Sequence, residues 1–262
     1  MGRLRSAQSG SSSRSRKAHA DLRGARIAEV LRRSQGADQP NLPTPEESHR
    51  LTRRKVEPMV RGLFPKVEQD TVLACVERSV VFVSPSNIVA LIERVPFHGT
   101  AWDLANLYLA SVGADLLGPD ATAILGLSQE ASCYVSSESL VGDEPFEDFI
   151  VHEVAHIFHN CKRQTLGLPV TRRREWLLDI DFRKRETFAW SCEAFARVVE
   201  GGGPPTERVA RAQIFAERFC CSDRRVHAAE VVDIVQEAAG ARNGWRVILK
   251  RCAPGSPRME IP

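Results

Sequence analysis

The chain has 262 residues, 43% hydrophobic and 26% charged, ordinary values for a globular protein that exclude a fibrous or wholly disordered one. Its longest apolar runs, such as 79–83 and 149–151, fall far short of the roughly 20 residues a bilayer span needs, so no transmembrane segment is expected. The net charge of +3 is uneven: residues 1–40 carry nine cations against three acids, and that surplus leaves the remainder mildly acidic.

Residues 1–20 are Gly/Ser/Arg-rich, and 35–43 are rich in Pro, Asn, Asp and Gly. Residues 1–43 therefore read as a disordered basic tail and linker, with only Leu22, Ile27, Val30 and Leu31 near helical spacing. This stretch lacks the apolar core of a secretory signal, although its Arg/Ser content resembles an organellar transit peptide. The seven cysteines are odd in number and hold no C-x-x-C pair, which argues against a disulfide framework and against a cysteine zinc site. A reducing, cytoplasmic location fits best.

A single folded domain is expected over 44–262. Thr44, Pro45 and Glu47 form a helix-start signature for a helix reaching Leu63 and ending before Pro65. The β-branched run 79–83 reads as a strand, and Ser86 or Asn87 caps a short helix to Glu93. Trp102 to Val112 reads as a helix, while Ala121 to Leu127 and Ala131 to Ser136 read as strands. A helix from Phe146 to about Cys161 follows, then one from Arg185 to Glu200, stopped by Gly201-Gly202-Gly203-Pro204-Pro205. Helices over 207–220 and 222–239 and a short element near 245–249 complete the chain. Strands first and helices after imply an α+β fold.

The helix from Phe146 carries His152-Glu153-Val154-Ala155-His156. Residues four apart share a helix face, so the two imidazoles can aim at one point about 2 Å from each, the ligand distance of zinc. Glu153 lies about 100° round the helix and can reach a water on the metal without ligating it. One turn thus supplies two ligands and a general base. The motif lies in an apolar helix, where buried polar groups need partners, and a metal is the simplest one. His159 shares the face but reads as a satisfied helix-end histidine rather than a further ligand.

A catalytic zinc needs three protein ligands. The metzincin continuation requires Gly and His where His159 and Lys162 stand, so the third ligand is sought on a later helix. Glu186 and Glu193, seven residues apart, lie within about 20° of each other, so that one can bind zinc while the other orients a histidine.

The motif followed by Glu186-Thr187-Phe188-Ala189 resembles the gluzincin branch of zinc metallopeptidases, and the E-x-F-A form is similar to the anthrax lethal factor-like catalytic domain. The resemblance covers about residues 146–196. It implies a zincin-like domain with a small mixed sheet packed on the motif helix and a helical C-terminal part. It also implies zinc on His152, His156 and Glu186, Glu153 as general base, and Glu193 as the orienting or alternative ligand. The lethal-factor group places a Tyr two turns before its ligand Glu, where this chain has Asp179. His227, or an arginine of the 172–174 or 183–185 runs, is the candidate oxyanion stabiliser.

The expected activity is zinc-dependent hydrolysis of a peptide or protein substrate held along the outer strand. The alternative is a zinc-binding regulatory protein without turnover, against which Glu153 argues, since a structural site needs no base. Nucleic acid is not an expected partner, because basic and aromatic residues are not interleaved.

Overall fold

The computed structural model describes residues 8–37, 42–136, 144–171, 174–221 and 223–255. The fold is α+β, with helix predominating and one small mixed sheet among the described residues. The chain divides into two compact units, one of residues 1–42, 82–125 and 136–138 and the other of the remainder. No described helix is long and apolar enough to cross a membrane.

The first unit corrects the reading of the N-terminal segment. Where a disordered tail was expected, α1 (Gln8–Arg33) is one helix, followed in its unit by α4 (Ile88–Arg94) and α5 (His98–Ser111). The arginines that read as solvated charge donate to backbone carbonyls, and those that Arg23 meets lie at the C-terminal end of α4, where helix carbonyls are left free. Arg23 donates to Glu93 O at 2.6 Å and Val95 O at 2.8 Å, and Arg26 donates to His98 O at 2.9 Å while lying over the Trp102 ring. Arg33 donates to Leu116 O, and Val30 is buried. Residues 82–125, expected within the domain over 44–262, cluster with this N-terminal helix.

In the second unit, α2 (Pro45–Leu63) starts with the expected reciprocal cap: Glu47 N–H donates to the Thr44 hydroxyl, and Thr44 N–H to the Glu47 carboxylate. Helix α3 (Lys66–Ser79) follows without a strong apolar stripe in its sequence, burying Val72, Leu73 and Val76. Strands β1 (Val80–Phe82), β2 (Gly126–Gln129) and β3 (Ser132–Val135) form a sheet of order β1-β3-β2, which leaves β2 at an edge. The β2–β3 hairpin pairs Gly126 with Val135 and Gln129 with Ser132, so its turn is Glu130-Ala131 with Glu130 at φ 51°. That tight turn fixes the register and shifts the first strand downstream of the expected 121–127.

Helix α6 (Phe149–Asn160) begins at Asp148, whose carboxylate accepts from Val151 N–H, rather than at Phe146. It is buried from Ile150 to His159 and packs against α2, the hairpin and α7 (Arg185–Glu200). Phe158 meets Phe64 edge to face at 5.0 Å. Helices α8 (Pro205–Arg218), α9 (Ala228–Gly240) and α10 (Gly244–Cys252) pack behind α7. The expected helix over 222–239 starts later, at Ala228, so that 219–221 and 223–227 lie outside any helix.

Candidate metal centre

Helix α6 sets His152 and His156 one turn apart, with their Nε2 atoms 3.2 Å from each other. The first turn of α7 brings Glu186 beside them: its Oε2 lies 3.5 Å from His156 Nε2 and 3.8 Å from His152 Nε2. One ligand atom from each residue falls within 4.8 Å of the others. A tetrahedral zinc with ligands at about 2.05 Å requires ligand atoms about 3.3 Å apart. The three residues therefore fit the metal with no rearrangement beyond a few tenths of an ångström.

The donors are also in the right protonation order. Glu193, 1% exposed, accepts from Asp148 N–H at 2.7 Å through Oε1, while its Oε2 lies 2.8 Å from His152 Nδ1. His156 Nδ1 lies 3.0 Å from His159 Nε2, and His159 Nδ1 lies 3.1 Å from Asn160 Oδ1. A carboxylate can only accept, so His152 carries its proton on Nδ1 when neutral. The Asn160 Oδ1 likewise only accepts, so His159 is also protonated on Nδ1, and its Nε2 accepts from His156 Nδ1–H. In the neutral form that ligation requires, both motif histidines turn unprotonated Nε2 atoms to one point. His159 thus does more than the satisfied helix end it was read as: it orients His156 as Glu193 orients His152.

The electrostatics favour a cation. Burial lowers the His152 pKa, but Glu186 and Glu193 outweigh it and raise the value to about 10. Burial would raise Glu186, yet the two histidines and Arg225 hold it well below the carboxylate range. His159 is pushed down to about 3 by burial, then by His156 and Arg185, which keeps it a neutral acceptor.

Glu153 stands beside this cluster without joining it. Burial raises its pKa, an effect moderated by His152, His156 and a hydrogen bond from Ser128 on β2. Its carboxylate fits because β2 has glycine at 126: a Cβ there would lie 2.5 Å from Glu153 Oε1 and 2.6 Å from its Cγ. A raised carboxyl pKa in a buried site is the poise of a general base.

Among the described residues none of the expected oxyanion donors bonds His152, His156 or Glu186, although the charge of Arg185 acts on His159. His227 is exposed at the start of α9, with no hydrogen bond or ion pair to the cluster among the described residues. Arg174 pairs with Glu68, Arg185 lies over the Phe182 ring, and residues 172 and 173 lie outside the described residues. Asp179 is exposed. The residue that reaches the cluster is Arg225, whose Nη1 lies 2.8 Å from Glu186 Oε1. Asp223 holds it with contacts of 3.0 Å and 3.1 Å to Nε and 2.6 Å to Nη2. Trp190, one turn after Glu186, sets its ring edge-on to His152 at 5.2 Å. Neither contact leaves a motif in the sequence, and the sequence reading placed 225 inside a helix.

The chain matches no protein-family model, no curated protein and no solved structure at a significant level.

Proposed function

We propose that this chain is a zinc-dependent peptidase with a zincin-like architecture, using His152, His156 and Glu186 as ligands and Glu153 as general base. The observation that carries the reading is the pair of inward-facing Nε2 atoms, each fixed from behind at Nδ1, with a buried carboxylate beside them that ligation does not need. A zinc ion held there supplies an acidified water and a Lewis acid for a carbonyl. Glu153 accepts the proton of the attacking water and returns it to the leaving amine. Arg225, largely exposed beside Glu186, is the group we assign to balance negative charge on the substrate carbonyl oxygen. The free edge of β2 offers backbone groups to an extended peptide, and Gly126 brings that edge close to Glu153.

The test compares wild type with Glu153→Gln at equal zinc content on a peptide library. Activity is expected to fall by at least 10²-fold while zinc content and fold persist. Equal cleavage by both would overturn the assignment. A zinc-loaded wild type that cleaves nothing would favour the regulatory reading instead.

A further inference from the structure

A second cavity, of about 880 Å³, opens between the outer face of α2, the later half of α7 and the start of α10. Its lining holds five cationic side chains, Arg54, Lys55, Arg61, Arg208 and Arg242, against the two carboxylates of Asp148 and Glu200. Two of the five are already engaged: Lys55 Nζ lies 2.5 Å from Asp148 Oδ2, and Arg61 Nη2 lies 2.5 Å from Glu57 Oε1. The other three have no carboxylate partner among the described residues. Arg54 and Arg242 are exposed to the cavity without any ion pair. Arg208 Nε is buried with no hydrogen-bond partner, and Nη2 makes only a 3.4 Å contact to Ala241 O. A desolvated guanidinium donor left unpaired is unfavourable, and a bound acceptor would relieve it.

Trp245 and Phe195, which meet edge to face at 4.8 Å, close the floor of the cavity but are buried, at 7% and 1% exposed, so neither ring offers a face to a ligand. Three arginines without carboxylate partners suit a ligand with several phosphate oxygens. The volume lies in the range of small-molecule sites.

We propose that this cavity binds a polyphosphate chain, with its oxygens on Arg54, Arg208 and Arg242. The site is separate from the metal centre but joined to it by bonds. Lys55 pairs with Asp148, the Asp148 N–H donates to Glu193, and Glu193 holds His152. A phosphate that draws Lys55 away from Asp148 therefore acts on the group that orients a metal ligand.

The experiment is calorimetric titration of the full-length, zinc-loaded protein with ATP, tripolyphosphate and a short single-stranded RNA at 0.15 M salt. Saturable one-to-one binding is expected for ATP and tripolyphosphate alike, which share the polyphosphate chain. Arg208→Gln together with Arg242→Gln is expected to weaken ATP at least tenfold without changing the thermal melt. Arg54→Gln, at an exposed position, gives the same direction should the double variant not fold. No saturable ATP binding at millimolar concentration would overturn the proposal, as would binding indifferent to these substitutions. RNA binding that strengthens with length and exceeds ATP would overturn it in favour of a polynucleotide surface. None of these readouts involves cleavage, so failure here leaves the peptidase reading intact.

Discussion

The carboxylate of Glu153 occupies the space that a side chain on Gly126 would take, with the added Cβ only 2.5 Å from Oε1 and 2.6 Å from Cγ. Gly126→Ala must displace the carboxylate, which is flexible, rather than the backbone of β2. Its expected effect is therefore functional. Turnover per bound zinc should fall about 10²-fold, as misplacement of a reacting group by about 1 Å does, with zinc content and melting temperature little changed. Metal analysis alongside kcat on any cleaved peptide checks this, and an unchanged kcat would mean that Glu153 works from a different position.

The supports behind the histidines give the second prediction. Glu193→Ala removes the acceptor at His152 Nδ1 and should weaken zinc about 10–100-fold, and His159→Leu should weaken it comparably through His156. Glu186→Ala removes a ligand and should abolish retention. Competition against a chromophoric chelator ranks the three. A ranking in which Glu193→Ala is the most severe would make Glu193 the ligand.

How much of this was legible in sequence depended on whether a residue acts through its helix or across space. His152, Glu153 and His156 follow from four-residue spacing and an apolar context, Glu186 stood beside Glu193 as one of two candidates that only the resemblance ranked, and Arg185–Glu200 matches the helix read there. Gly126 read only as part of a strand, since its role exists only once β2 lies on Glu153. Arg225 was hidden because apolar spacing drew the helix from 222, whereas Asp223 accepts from Arg225 N–H and holds a turn instead. The N-terminal helix was missed for a different reason: composition counts Arg23 and Arg26 as solvated charge, and only the fold supplies the carbonyls they meet.

A fully buried ion pair gives a prediction about stability alone. Arg163, 0% exposed, donates to Glu68 Oε1 at 2.6 Å and to Pro169 O at 2.7 Å, tying α3 to the 3-10 turn Arg163–Leu166. Arg163→Ala leaves Glu68 buried with only the exposed Arg174 nearby, at a cost of about 3–5 kcal/mol. Replacing both partners by apolar residues should recover most of that loss. Urea unfolding of the single and double variants measures it, and a loss under about 1 kcal/mol in the single variant would mean that water reaches Glu68.

Arg225 gives the sharpest division between two roles. Its guanidinium bonds Glu186 Oε1 at 2.8 Å, the oxygen further from the histidines, and Asp223 holds it there. A residue that only steadies a ligand and a residue that meets developing charge on substrate differ in what their loss changes. If Arg225 serves the substrate oxygen, Arg225→Ala should lower kcat about 10²–10³-fold per bound zinc, as removal of one oxyanion donor does, with zinc affinity nearly unchanged. If it serves Glu186, zinc should weaken about 10–100-fold while kcat per bound zinc holds. The exposed side chain, 70% accessible on a loop at the mouth of the cluster, favours the first outcome. Asp223→Ala provides the control, because it frees the guanidinium without removing it. A smaller fall in kcat than for Arg225→Ala, again at constant zinc affinity, is expected from a donor that is present but no longer held in place.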